Sequence, residues 1–205
     1  MSAARKTVIV GITASIAAYK ACEIVNLLQK NSFDVRVIMT KDALEFVTPL
    51  TLQTLSGSKV LTDIFEPADR WSPVHTSLAD SASLILIAPA TANVIGRLAN
   101  GICDDLLTCV VYASRAPVLI APAMNENMYN HKVVMGNIAK LEKIGYRFIG
   151  PVKGRLACGH DAIGHIAPAA EIIKEVKKIL SASADKSQSA GGLRRIRRSS
   201  RSNER

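Results

Sequence analysis

The sequence predicts an α/β protein in which helices cover both faces of one open parallel sheet. Short aliphatic, β-branched runs alternate along the chain with longer segments of helical spacing. Several of the runs end in compact polar turns, where open parallel sheets bind their ligands. The chain has 205 residues, enough for one such domain with a full core.

Composition indicates an aliphatic core and a separate basic tail. Apolar residues make up 48% of the chain and aromatic residues 4%. Residues 181–205 hold seven basic and two acidic residues, so this Ser-, Gly- and Arg-rich tail carries +5 of the net charge of +9. We expect a domain over residues 1–180 and a disordered tail over residues 181–205. A nucleic-acid partner is not indicated for the domain.

The cysteines point to an intracellular protein. All four are scattered with no Cys-x-x-Cys pair, which argues against a zinc site and a disulfide scaffold. A reducing cytoplasm is the expected setting. No stretch is long enough to span a bilayer, and the amino-terminal apolar run leads into a helical pattern rather than a signal-peptide cleavage site.

The first elements form a β-α-β unit. Thr7–Gly11 is the first strand, Ser15 is the N-cap of the following helix, and Asp34–Thr40 is the second strand. The connecting loop lacks Gly-x-Gly-x-x-Gly and a Walker lysine. With Thr13, Ser15 and Thr40 it can hold a single phosphate through hydroxyl and N–H groups, or it can simply cap a helix. Both interpretations stay open at this point.

The middle of the chain predicts a broken helix and a long irregular segment. Residues 41–57 read as helix with a break at Thr48–Pro49, and residues 58–74 as irregular. His75 follows that segment. A lone histidine is more often structural than catalytic, although its place after a long loop favours a functional role.

Two further strands end in polar turns. Ser83–Ala88 is followed by the turn Pro89–Asn93 and a helix, after which Asp104 or Asp105 caps the next helix. The strand Pro117–Ile120 is followed by a turn that carries Asn125, whose amide suits a carboxylate or an amide. A plain capping role is the alternative for these polar side chains.

The carboxyl-terminal part predicts a helix over residues 132–144 and a last strand at Tyr146–Ile149. Gly154–His165 reads as a Gly-rich flexible loop around Cys158, and a helix from Pro168 to Leu180 closes the domain.

Five segments, in order along residues 6–180, resemble motifs of the flavin-dependent cysteine decarboxylases. Gly11–Lys20 is similar to the first flavin loop, and Pro89–Asn93 to a Pro-Ala-Ser-Ala-Asn motif with Thr for Ser. Pro122–Tyr129 is similar to Pro-x-Met-Asn-x-x-Met-Trp with Tyr for Trp. Val74–His75 matches the position of the active-site histidine, and Leu156–Gly159 the substrate-clamp loop of the branch that acts in coenzyme A biosynthesis.

The resemblance implies a flavodoxin-like three-layer sandwich that binds FMN, which agrees with the missing dinucleotide fingerprint. It implies a homo-oligomer, a trimer or a multiple of trimers. The implied reaction is decarboxylation of 4'-phosphopantothenoylcysteine to 4'-phosphopantetheine through an FMN-generated thioaldehyde.

The resemblance also implies roles for individual residues. His75 would be the base for the thiol proton, Asn125 would hold the carboxylate, and Cys158 would be the late acid. The implied substrate contacts are Asn125, Met128, Ala157 and Cys158. The implied cofactor contacts are Thr13, Ala14, Ser15, Thr40, Thr91, Ala92, Asn93 and Ala123.

One departure keeps other functions open. His165 stands where the coenzyme A branch usually has Gly-Arg, so the substrate's phosphate contacts differ. A peptidyl-cysteine decarboxylase that stops at the enethiol is one alternative. A non-catalytic FMN-binding regulatory subunit is another.

Overall fold

A five-stranded parallel sheet in the order β2-β1-β3-β4-β5 forms the centre of the protein. The computed structural model describes residues 5–65, 73–155 and 161–182. The strands of this sheet are β1 Thr7–Ile12, β2 Asp34–Met39, β3 Leu84–Ala90, β4 Val118–Pro122 and β5 Arg147–Phe148. The order reverses between β1 and β3, which are paired in parallel from Val8 opposite Leu84 to Gly11 opposite Ile87.

The central strands are aliphatic because both of their faces are buried. All seven residues of β3 are buried, which explains the unbroken run in place of an alternating pattern. Val8 and Val10 belong to the core on one face, whereas Ile9 belongs to the core on the other. Gly11 lies where a Cβ atom would overlap the Leu107 side chain, so the absence of a side chain lets a helix lie directly on β1.

Helices cover the two faces unequally. The helices are α1 Lys20–Lys30, α2 Pro49–Ser56, α3 Val74–Ser81, α4 Ala92–Ala99, α5 Leu106–Ala113, the single turn α6 Glu126–Tyr129, α7 Lys132–Lys143, and α8 at residues 169–182. Residues of α1, α2 and α8 share one core, and residues of α3, α4, α5 and α7 share the other. The predicted three-layer, flavodoxin-like arrangement is confirmed.

The expectation of a flexible loop over Gly154–His165 is wrong for the residues described. Strands β6 Val152–Arg155 and β7 Asp161–His165 pair antiparallel as a separate hairpin. The backbone N–H of Met124 donates to the carbonyl of Gly164 at 3.1 Å, which anchors the hairpin to the end of β4. Short strands that contain glycine show no clear alternation of apolar and polar residues, which is why the sequence pattern predicted a loop here.

The segment between β2 and β3 also differs in detail. Residues 41–57 contain a 3-10 helix at Lys41–Glu45 and then α2, with the break at the predicted Thr48–Pro49. Leu61 makes an isolated bridge to Ile38, and α3 begins at Val74. His75 therefore lies in the first turn of a helix that the sequence pattern did not predict.

Among the three described ranges, no helix combines the length and apolar character needed to cross a bilayer. The basic tail beyond residue 182 and residues 156–160 lie outside those ranges.

Candidate functional site

A cavity of about 500 Å³ opens at the carboxyl ends of β1 and β3. This is the point where the strand order reverses, the usual ligand site of open α/β sheets. Seven of the residues that line it are among the predicted site residues: Thr13, Ala14, Thr40, Thr91, Ala92, Asn93 and Met128. Six more that the sequence analysis did not predict as site residues complete the lining: Lys41, Asp42, Val94, Arg97, Asp104 and Asp105.

Thr13 holds the turns after β1 and β3 together. Its Oγ1 donates to the carbonyl of Pro89 at 2.8 Å and accepts from the backbone N–H of Thr91 at 3.1 Å. The residue is 2% exposed. The one hydroxyl proton of Thr13 is thus committed within the protein, and the residue sets the shape of the cavity floor.

The start of α4 presents small and polar groups to the cavity. Thr91 is its N-cap, and its Oγ1 accepts from the N–H of Val94 at 3.4 Å. Ala92 adds little bulk, and Asn93 is exposed. Thr40 faces the same cavity from the end of β2 and makes no side-chain capping bond to the 3-10 helix that follows it. The wall therefore offers a free hydroxyl group, an amide and a helix N-terminus.

A charge cluster closes one side of the cavity. Nη1 of Arg97 lies 2.9 Å from Oδ1 of Asp104 and 2.9 Å from Oδ2 of Asp105. Asp105 also caps α5 through a capping box with Thr108. The two carboxylates outnumber the single guanidinium, so this side of the cavity carries no excess positive charge. The helical spacing of Asn93 and Arg97, four residues apart on one face, is the signal that could have predicted Arg97 in the wall.

A second set of residues lies beside the ends of β1, β4 and β7. Ser15 and Ala123 in this set were predicted as cofactor contacts, whereas Lys20 and His165 were not predicted as site residues. Oγ of Ser15 accepts from the N–H of Ala17 at 3.2 Å and lies 3.4 Å from the carbonyl oxygen of Ala123, to which it donates. Nζ of Lys20 lies 3.3 Å from Nδ1 of His165. The ammonium group has only donors, so Nδ1 is the acceptor in this contact.

Asn125 stands at the start of α6, next to that set. Its Oδ1 accepts from the N–H of Asn127 at 2.9 Å, and the side chain is exposed, so the NH2 group is the part available to a ligand. Met128, one turn on, is 49% exposed and lines the cavity. Burial, and secondarily the carboxylate of Glu142, raises the pKa of Tyr129 and keeps its phenol protonated.

His75 lies apart from the cavity lining. Its Nδ1 is a buried polar atom with no hydrogen-bond partner among the described residues. A buried polar atom without a hydrogen-bond partner destabilises the folded state unless another group supplies that hydrogen bond. Ala157 and Cys158, the other two predicted substrate contacts, lie outside the described residues.

Comparison with known proteins identifies the family. The flavoprotein family profile matches residues 2–181. The coenzyme A biosynthesis bifunctional protein CoaBC of Bacillus subtilis is 47% identical over 173 residues, which are 84% of this chain and 43% of that protein. The homologous CoaBC of Mycobacterium bovis is 44% identical over 167 residues, 82% of this chain and 40% of that protein. The chain thus spans less than half the length of these two relatives.

Solved structures give the same result. A PPC decarboxylase mutant complexed with pantothenoylaminoethenethiol superposes with a TM-score of 0.79 at 29% identity, over 87% of this chain and all of that one. The FMN-dependent cysteine decarboxylase SpaF superposes with a TM-score of 0.77 at 26% identity, over 88% of this chain and 98% of that one. The predicted kinship with flavin-dependent cysteine decarboxylases is confirmed, and the chain belongs to the flavoprotein family.

Proposed function

We propose that this protein decarboxylates 4'-phosphopantothenoylcysteine to 4'-phosphopantetheine, a step of coenzyme A biosynthesis, with FMN as its cofactor. The likeness to the PPC decarboxylase mutant, over the whole of that chain, is the observation that carries the proposal. The kinship with CoaBC proteins at over 40% identity agrees with it.

The cavity at β1 and β3 suits a flavin mononucleotide. Its volume of about 500 Å³ falls within the usual range for cofactor sites. Ala14 and Ala92 leave room for a flat ring close to the backbone, and Thr40 has a hydroxyl that caps no helix. The first loop has none of the glycine spacing that a dinucleotide pyrophosphate requires, which favours FMN over FAD.

Different parts of the cavity would hold different parts of FMN. Thr40 and the backbone N–H groups of the first loop would bind the phosphate, with Thr13 and Ser15 holding that loop in place through their committed hydroxyls. Thr91, Ala92 and Asn93 with Ala14 and Ala123 would line the ring. When bound, the flavin supplies the two-electron redox chemistry that a simple cysteine carboxylate needs before it can lose CO2.

His75 is the proposed base for the substrate thiol. Its orphaned Nδ1 can take up one proton, and the residue lies in the first turn of α3. An imidazole can accept a proton and release it again within one reaction cycle.

The substrate's two acidic groups would bind at the second set of residues. The NH2 group of Asn125 is free to donate to the carboxylate because its oxygen is already occupied by Asn127. Lys20 with His165 would bind the phosphate. The ammonium group of Lys20 would supply the positive charge that the usual Gly-Arg provides in the coenzyme A branch. Met128 would contact the substrate's chain.

Cys158, with Ala157 beside it, is proposed to act late. A thiol has a pKa of about 8.5 and can give its proton to the carbon that must become saturated. Only an enzyme that makes the saturated thiol needs this acid, so the residue separates the coenzyme A reaction from the peptidyl-cysteine reaction.

Product analysis tests the proposal. The purified protein, supplied with FMN, is incubated with phosphopantothenoylcysteine and separately with a Cys-ended peptide, and the products are identified by mass. We expect CO2 loss and a saturated thiol from the first substrate. An enethiol formed from the peptide alone would assign the chain to the peptidyl-cysteine decarboxylases, and turnover of neither would favour the regulatory subunit.

A variant sharpens that test. Cys158→Ser should release CO2 from phosphopantothenoylcysteine yet accumulate a product two hydrogens lighter than phosphopantetheine, with Cys22→Ser as the matched control. Fully reduced product from Cys158→Ser at the parent rate would refute the late-acid role.

The cofactor and the assembly are tested separately. Denaturation of the yellow protein should release FMN, and release of FAD would contradict the cofactor proposal. Several large apolar side chains are exposed, among them Leu50 at 71% and Ile16 at 63%, which favours self-association. We propose that the protein forms a homotrimer or a multiple of trimers, and light scattering measures the mass of this assembly. We also propose that it acts in the cytoplasm.

A further inference from the structure

Two thiols meet at the surface, next to the charged side of the cavity. Cys103 is exposed and lies in the connection between α4 and α5, residues 100–105, which we call the wall loop. Cys109 is half-buried in the first half of α5. Their sulfur atoms are 2.8 Å apart, with the Cys103 thiol donating to Cys109.

We propose that Cys103 and Cys109 are a modification site that forms a reversible intramolecular disulfide with a low-molecular-weight disulfide as oxidant. A disulfide bond is about 2.05 Å long, so the two sulfur atoms need to approach by less than about 1 Å. The segment that carries Cys103 is a connection rather than a helix, so the backbone can supply that movement.

The surroundings distinguish the two thiols. Burial, followed by the hydrogen bond with Cys103 and then the charges of Cys103, Asp105 and Asp104, raises the pKa of Cys109 to about 12. Cys109 also donates its proton to the backbone carbonyl of Cys103 at 3.6 Å. Cys109 therefore stays protonated, and the exposed Cys103 is the thiol that meets an oxidant first.

The exchange proceeds in two balanced steps. Cys103 gives up its proton and attacks one sulfur of the small disulfide, whose S–S bond breaks and releases one thiol. Cys109 then gives up its proton and attacks the Cys103 sulfur of the mixed disulfide, which releases the second thiol. The two cysteines are oxidised by two electrons and the small disulfide is reduced by two.

The disulfide would join the wall loop to α5. Asp104 and Asp105 directly follow Cys103, both bind Arg97, and all three of these charged residues line the cavity. A covalent link between Cys103 and Cys109 spans this acidic pair and restrains the segment that holds Arg97. Oxidation of the thiol pair is thereby coupled to the stiffness of one side of the cavity.

Thiol counting on the full chain tests the proposal without any assay of turnover. The protein is equilibrated in glutathione buffers of increasing oxidised fraction, alkylated, digested and mapped by mass. We expect two of the four thiols to disappear together, in a peptide pair that links Cys103 to Cys109. This should occur at an oxidised-to-reduced ratio about tenfold below that which glutathionylates Cys22.

Matched variants separate the two steps. Cys109→Ser should stop at a glutathione adduct on Cys103, Cys103→Ser should leave Cys109 reduced, and Cys22→Ser should form the bridge like the parent. Amide hydrogen exchange in residues 100–105 should slow in the oxidised parent.

Three results would overturn the inference. They are a stable glutathione adduct on Cys103 in the parent, a bridge that involves Cys158 instead, and a bridged protein with unchanged exchange in the wall loop.

Discussion

Nζ of Lys20 and Nδ1 of His165 lie 3.3 Å apart, although the residues are separated by 145 positions in the chain. Lys20 opens α1 and His165 closes β7, so the contact joins the first crossover of the sheet to the separate hairpin. Met124 donates to Gly164, the residue before His165, and Asn125 follows Met124. A cation and an imidazole thus lie beside the amide that we propose for the substrate carboxylate.

Lys20→Met should raise KM for phosphopantothenoylcysteine about 10- to 100-fold, the value of one hydrogen bond to a charged group. The effect on kcat should be small, because the residue binds the end of the substrate far from the thiol. Steady-state kinetics on the phosphorylated and dephosphorylated substrates measure this.

Lys30→Met is the control for Lys20. It removes an exposed cation from the far end of the same helix, roughly 15 Å away, and should leave KM unchanged. Equal losses for the phosphorylated and dephosphorylated substrates with Lys20→Met would exclude Lys20 from the phosphate site.

Thr13→Val should destabilise the protein by about 1–3 kcal/mol. The valine has the same shape but leaves the N–H of Thr91 without its partner in a buried turn. The carbonyl of Pro89 loses the hydroxyl of residue 13 and keeps the bond from the backbone N–H of that residue at 3.3 Å. Urea unfolding of the flavin-free chain measures the free energy of unfolding.

Thr40→Val is the matched control for Thr13→Val, because it should lower FMN affinity and leave the free energy of unfolding nearly unchanged. Its hydroxyl caps no helix, so the free energy of unfolding should change by less than about 0.5 kcal/mol. FMN affinity should fall instead. If Thr40→Val leaves FMN binding intact, the phosphate lies elsewhere in the cavity.

His75→Asn should lower turnover by about two to four orders of magnitude, which is typical of the loss of a general base. FMN content and far-UV circular dichroism should match the parent, since His75 does not line the cavity. His131→Asn is the control, because His131 only caps α7 through Nδ1 and asparagine is an equally good cap. Parent-like turnover of His75→Asn with FMN bound would remove His75 from the mechanism.

Alkaline pH should destabilise the reduced protein through Cys109. The pKa of its thiol is raised from 9.0 to about 12 in the folded state, chiefly by burial. The folded chain therefore holds this proton more tightly than the unfolded chain. The resulting stability is full below pH 9 and is lost as pH rises from 9 to 12.

Denaturant unfolding at several pH values in this window, with reductant present, measures whether the free energy of unfolding falls as pH rises. Cys109→Ser has no titratable group at position 109, so it should lose less stability than the parent over this pH range. Tyr129 and Tyr146, whose pKa values burial also raises, contribute equally to both proteins and cancel in the comparison. A parent and a variant with parallel profiles would contradict the assignment.

Local chemistry made the sheet predictable. Leu84–Ala90 is buried on both faces, so selection for apolar side chains leaves an unbroken aliphatic run that is visible without coordinates. A proline marks the end of two strands, since Pro89 is the last residue but one of β3 and Pro122 is the last residue of β4. The polar turns that follow line or flank the cavity. Ser15 was predicted as a cap for the same local reason, and so was either Asp104 or Asp105. In the structure Ser15 and Asp105 accept the backbone N–H groups expected of caps.

The hairpin and α3 show where local patterns fail. Val152–Arg155 has a glycine and two long basic side chains, so its pairing with β7 depends on the partner strand rather than on its own period. Val74–Ser81 is short and contains few strong helix formers, and it packs on α5, which follows β3 in the chain and lies on the same face of the sheet. Both elements are stabilised by contacts that are distant in sequence.

The fold class, the approximate strand ends and the family motifs can be recognised in the sequence, because each depends on neighbours within a few residues. Which polar groups are free depends on the tertiary structure. In the fold the hydroxyl of Thr13 donates to Pro89, the hydroxyl of Thr40 caps no helix, and Arg97 pairs with Asp104 and Asp105. The fold also brings Lys20 to His165 and Cys103 to Cys109. Those pairs lie close together because the folded path of the connecting segments brings them into contact. The spacing of residues along the chain does not reveal such contacts.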